Sequence, residues 1–141
     1  MFFEIIVCIF SYDIWFYITH LVLHNKNYYI IHKIHHSTQY SILNFTHAHK
    51  AHYIENTIQN SGLLIPYLFI SINPYYLLIS FIIVSIRGLM RHDYRCSYLF
   101  GNHHLLHHKY LNCNYGEYYI DVLCGTKCIH EKEYIYGQLY T

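Results

Sequence analysis

Histidine is the residue whose number and spacing point to chemistry: 14 occur in 141 residues. His20 and His24 stand at i, i+4, which puts two rings on one face of a helix, a turn apart. His32, His35 and His36 form H-K-I-H-H, and His104, His107 and His108 form H-L-L-H-H. Each of these triplets lies on one helical face. At one His in ten, chance gives about 0.14 copies of H-x-x-H-H in a chain of this length, and the sequence holds two. Eight imidazoles gathered together repel one another if protonated and lose hydration if buried, unless a cation takes their lone pairs. Neutral imidazole suits zinc, copper, iron and nickel. Eight rings exceed what one ion holds, so two ions are expected. A closed structural zinc site uses four ligands and explains the count poorly; a redox pair of irons that binds dioxygen explains it better. His130, by contrast, is expected to be a hydrogen-bonded structural residue. His47 and His49 are expected at the surface or behind the metal ligands.

The elements that carry these histidines are apolar. Hydrophobic residues make up 54% of the chain and charged residues 12%, about half the charge of an ordinary soluble domain. The formal net charge of +1 excludes an electrostatic nucleic-acid binder. Phe2 to Leu23 is long enough to cross about 30 Å of hydrocarbon as a helix, although Glu4 and Asp13 make an interfacial position a competing reading. This segment has no basic start and no small-residue cleavage site, so it reads as a retained membrane helix over residues 1–24 rather than a removable signal. From Asn56 to Ile86 there are 31 residues without a charge. Pro66 and Asn73-Pro74 divide them into two arms, Gly62–Ile72 and Tyr75–Ile86, each too short to span alone. A helical hairpin over 56–86 that enters and leaves by one face is expected; a single kinked span is the alternative. The hairpin leaves residues 25–55 and 87–141 on the same side, where their histidines can meet. Arg87, Arg91 and Arg95 then read as a cytoplasmic flank. Five cysteines without a C-x-x-C pattern read as free thiols in a reducing compartment. The expected fold is all-α and a single domain over 1–141: membrane helices carrying a cytosolic, histidine-rich helical cap.

H-L-V-L-H at 20–24, H-K-I-H-H-S at 32–37, H-Y-I-E at 52–55 and H-H-L-L-H-H at 103–108, followed by N-Y-G at 114–116, Asp121 and Gly125-Thr126, resemble the fatty acid hydroxylase and sterol desaturase superfamily of membrane di-iron oxygenases. The resemblance covers about residues 14–128. It implies that His20, His24, His32, His35, His36, His104, His107 and His108 are metal ligands, and that His92 is the single histidine preceding the last box. It places His103 as a ligand or behind one. His52 and Glu55 resemble an H-P-x-E element in which Tyr53 stands for the proline. Glu55, Asn114 and Asp121 are expected to orient ligand rings, with a helix cap as the alternative for Asp121. The implied activity is dioxygen-dependent hydroxylation or desaturation of a sterol or fatty-acyl lipid, as in lipid biosynthesis. The implied cofactor is two iron ions, which zinc can replace in purified samples. The implied partners are a haem-protein electron donor and its reductase, in an endoplasmic reticulum-type membrane. A metal-binding membrane protein, or a truncated and inactive relative, are the competing classes; the second follows from the few residues before the first histidine box.

Overall fold

The computed structural model describes residues 2–139. The fold is all-helical among the described residues, and two helices are long and apolar enough to cross a membrane. The first, α1 (Phe2–Leu23), contains neither Gly nor Pro and rises about 33 Å at 1.5 Å per residue. Cys8, Tyr12, Phe16 and His20 are buried along it at i+4 spacing, so one stripe runs from the apolar core to the histidines. Beyond Asn25, the short helix α2 (Tyr29–His32) and a 3-10 turn at His35–Ser37 carry the second histidine box. H-K-I-H-H is thus two short turns joined by Lys33 and Ile34, both in right-handed helical conformation, so His32 and His36 still face the same way.

The chain then descends through α3 (Tyr53–Asn60) and a 3-10 helix over Ser61–Leu68. Together these cover about 28 Å, because a 3-10 helix rises about 2 Å per residue. Trp15 Nε1 donates to Ile58 O at 2.7 Å, and Ser11 Oγ donates to Gly62 O at 3.0 Å, binding this arm to α1. Gly62 is required there, since a Cβ would lie 2.8 Å from the Trp15 side chain. At the far end the Asn73 amide N–H meets Glu4 Oε1 at 3.3 Å. The returning helix, α4 (Pro74–Arg91), starts with Asn73 accepting from Tyr75 N and with proline in its first turn, a favourable helix start. The two arms and α1 form a three-rod bundle around Cys8, Tyr12, Phe16, Leu63, Ile72 and Val84.

The expected hairpin is therefore present, with longer arms than the apolar pattern marks. The second arm runs past Ile86 to Arg91 because its arginines do not face water. Arg87 is ion-paired with Asp13 of α1, and Arg91 Nη1 donates to Glu117 Oε1 at 2.5 Å. Tyr119 OH completes the group by donating to Asp13 Oδ2 at 3.2 Å. Of the three flanking arginines, only Arg95 is exposed.

Past His92, α5 (Ser97–Phe100), α6 (His103–Tyr110) and α7 (Tyr118–Cys124) close the cap. Leu105 and Leu106 anchor α6, each 1% exposed.

Candidate metal centre

The nine histidines at positions 20, 24, 32, 35, 36, 92, 104, 107 and 108 converge in two groups. His20, His24, His32, His36 and His107 form the first, and His35, His92, His104 and His108 the second. In the first, Nε2 of His32 lies 3.0 Å from that of His20 and 2.9 Å from that of His36; Nε2 of His107 lies 3.1 Å from those of His24 and His36. In the second, Nε2 of His92 faces three others, His35 at 3.2 Å, His104 at 3.1 Å and His108 at 3.2 Å.

A ring nitrogen carries one proton or one lone pair, never three. Three Nε2 atoms pressed on a fourth cannot be a hydrogen-bond network; they are lone pairs aimed at a shared point. Two imidazoles bound to one ion at about 2.1 Å sit about 3.0 Å apart at a right angle and about 3.4 Å apart at the tetrahedral angle. The observed separations of 2.9–3.2 Å fit that geometry.

The opposite ring nitrogens fix which tautomer is present. Nδ1 of His20 donates to Tyr115 O at 2.5 Å, that of His107 to Cys113 O at 2.7 Å, that of His92 to Gly88 O at 2.7 Å and that of His32 to Glu55 Oε1 at 2.7 Å. Each places the proton on Nδ1 and the lone pair on Nε2, as metal ligation needs. Burial first, and neighbouring rings second, push His24 down to about 3 and His92, His104, His107 and His108 well below the usual imidazole range. Burial lowers His32 and His35 to about 4. The rings are therefore neutral near pH 7. Burial also lifts Glu55 to about 7.

The doublets explain how two groups arise. Neighbouring residues in a helical turn point about 100° apart. His35 and His36 accordingly split between the groups, as do His107 and His108. The rings of His36 and His108, one from each group, are 4.6 Å apart between centroids.

The remaining histidines stand elsewhere. His103 Nε2 donates to Asp121 Oδ2 at 3.0 Å and belongs to neither group. Asp121 accepts from Tyr115 N, Gly116 N and Thr126 Oγ1, so it holds the loop that presents Tyr115 O to His20. Asn114 supports the same loop, donating to His103 O and accepting from Cys128 N and Tyr134 OH. Gly116 lets the loop reach α1, since a Cβ there would lie 2.9 Å from that of Tyr17. His52 caps α3 by accepting from Ile54 N. His47 serves the Asn44 capping box, and His130 stacks on Tyr110 at 4.1 Å. The carbonyls of Gly88, Cys113 and Tyr115 escape sequence reasoning, because a backbone acceptor leaves no residue-type signal. The buried Asp13–Arg87–Glu117–Arg91 group did leave one: an acid inside an apolar helix needs a partner.

An all-helical architecture with two apolar helices, and with nine histidines in two convergent groups at one end, defines a membrane-associated protein able to bind metal. The fatty acid hydroxylase family model matches residues 5–126, most of the chain, and the protein belongs to that family. This family implies an oxidoreductase that acts on lipid. No curated protein and no solved structure matches the chain.

Proposed function

We propose that the protein is a membrane-bound di-iron oxidoreductase that uses dioxygen to hydroxylate or desaturate a lipid. The observation that carries this reading is the convergence of nine imidazole Nε2 atoms on two neighbouring points. His20, His24, His32, His36 and His107 would hold one iron, and His35, His92, His104 and His108 the other. Five donors at the first exceed a closed four-ligand zinc site. Neutral nitrogen donors suit iron. The iron pair would supply the activation of dioxygen that C–H oxidation requires.

The chain's own residues do the rest. Nδ1–H donation to Tyr115 O, Cys113 O, Gly88 O and Glu55 holds four rings in the ligating tautomer. Glu55, with its affinity for a proton raised by burial, is suited to exchange one beside His32 near neutral pH. Burial of α6 keeps bulk water from the histidines. In the overall hydroxylation, one oxygen atom of dioxygen enters a C–H bond and the other leaves as water, using two electrons and two protons. In desaturation, two hydrogens leave the lipid and both oxygen atoms leave as water. A haem-protein donor with its reductase would supply the electrons, with the histidine cap facing the cytosol of an endoplasmic reticulum-type membrane.

The test is lipid profiling of membranes holding the iron-loaded protein, an electron donor and labelled dioxygen. A product that depends on dioxygen, and that is lost in His104→Ala with the protein still folded, is expected. Full metal loading with a working donor and no such product contradicts the reading.

A further inference from the structure

The last helix of the cap, α7, reaches well below the histidines. Tyr119 stacks on Phe10 with ring centroids 6.4 Å apart, and its hydroxyl donates to Asp13 Oδ2 at 3.2 Å. Just past the other end of α7, Thr126 Oγ1 lies 3.3 Å from Tyr17 OH. At 1.5 Å per residue along α1, these contacts set α7 about 5–15 Å below the level of His20. Helices that lie in a membrane interface bury their apolar faces to about 5–10 Å. The side chains of α7 are sorted to match. Ile120 and Asp121 are buried, whereas Val122 is exposed and Leu123 is 82% exposed. Glu117 and Asp121, the acids of this segment, both face inward, so α7 carries no exposed charge.

The neighbouring rods are apolar on the outside at the same level. Ile14 and Ile18 of α1 and Ile83 and Ile86 of α4 are exposed, while Asp13 and Arg87 beside them turn inward and pair. Charges inside and aliphatic side chains outside suit a surface that meets hydrocarbon. The end of α7 is also closed as hydrocarbon requires, since backbone groups there must find partners within the protein. Asp121 O accepts from Thr126 N at 2.9 Å and from Lys127 N at 3.2 Å, and Asn114 Oδ1 accepts from Cys128 N at 2.7 Å. Further on, Glu131 and Lys132 are exposed, which returns the chain to water. The seven residues of α7 rise about 10 Å, too short to span a bilayer, so the segment dips and returns.

We infer that α7 is a further membrane-embedded element: it enters the bilayer from the face that carries the histidines, sets Val122 and Leu123 against lipid acyl chains, and leaves by the same face. Its occupant is the bilayer itself, continuous with the lipid around α1 and α4. Asp121, on the inner side of α7, accepts from Tyr115 N and Gly116 N, so the element in the lipid is tied directly to the loop that orients His20. This rests on the membrane-bound reading and adds a lipid contact outside α1 and the hairpin.

The experiment uses the unmutated full chain in phosphatidylcholine nanodiscs doped with a phospholipid that carries a diazirine midway along one acyl chain. Crosslinks mapped by mass spectrometry are expected at Ile14 or Ile18, at Ile83 or Ile86, and at Val122 or Leu123. Ile42 and Tyr94, also exposed but in the cap, are expected to stay unlabelled. The native thiols give a second readout. Cys124 is exposed and Cys96 half-buried, so in water an impermeant maleimide would reach Cys124 first. In the nanodisc the order is expected to reverse, with Cys124 at least ~10-fold slower than Cys96, because apolar surroundings disfavour the reactive thiolate. Labelling confined to α1 and α4, equal labelling of Ile42 or Tyr94, or Cys124 reacting ahead of Cys96 overturns the inference and leaves the membrane-bound reading standing. Absence of labelling on α1 and α4 overturns that reading, and the inference with it.

Discussion

At the level of single residues, the distinction between histidines that meet and histidines that do not gives the sharpest expectations. His107→Ala removes a nitrogen from the first group and should lower the metal bound per chain, whereas His130→Ala removes only a ring stacked on Tyr110 and should not. Elemental analysis of the two purified variants checks this. Glu55→Gln keeps the shape but weakens the hold on His32 Nδ1; loss of such a supporting partner commonly lowers metal affinity about 10–100-fold, measurable by chelator competition. Acid should act on the same rings. His24, His32 and His35 fall from about 6.5 in the unfolded chain to about 3 and about 4 in the fold. Folding therefore favours their neutral forms. Their contribution to the stability of the metal-free protein is complete above about pH 6.5 and is lost as pH falls toward about 4. Thermal melts over that range should show a falling Tm, and a flat profile would contradict the burial of these rings. The nine histidines were legible in sequence because imidazole has a residue-type signature. The carbonyls that orient four of them were not.

At the level of elements, the loop between α6 and α7 is the device that brings Cys113 O and Tyr115 O to the first histidine group. Its approach to α1 depends on Gly116. Gly116→Val should push the loop off Tyr17, free His20 Nδ1 and lower metal retention, with the three-rod bundle intact by circular dichroism. The buried charges join α1, α4 and the start of α7. Arg87→Ala leaves the buried Asp13 without its ion pair, and breaking such a pair typically costs about 3–5 kcal/mol, to be read from denaturation in detergent. The turn at Asn73-Pro74 and the existence of the hairpin could be read from the sequence, because Asn-Pro is a strong local punctuator. The ends of its arms could not. Arg87 and Arg91 resemble a solvated flank until Asp13 and Glu117, distant in sequence, are seen to receive them. Nor could the division of H-K-I-H-H into two turns be read, because i, i+3, i+4 spacing fits a continuous helix equally well.

At the level of the whole molecule, α1 and both hairpin arms present their histidine-bearing ends to one side, while Glu4 and Asn73 meet at the other. Residues 25–52 and the chain past His92 should therefore lie on one face of the membrane. Cysteines introduced at Ser37 and Lys132, both exposed, should react with an impermeant reagent from the same side in oriented vesicles. Reaction from opposite sides would contradict this arrangement. The overall class, an apolar helical base under a histidine cap, was legible because the chargeless stretch and the histidine boxes alternate along the chain. Which ring joins which group was not, since that depends on how α1, α2 and α6 converge in space.

The most direct test of the account is the number of metal ions per folded chain. The protein, purified from cells supplied with iron and analysed by elemental mass spectrometry against an amino-acid count, should carry two ions, whether iron or zinc occupies the histidines. His92→Ala, which removes the hub of the second group, should bring the count to one. A wild-type value of one or less in folded protein would contradict the two-site arrangement.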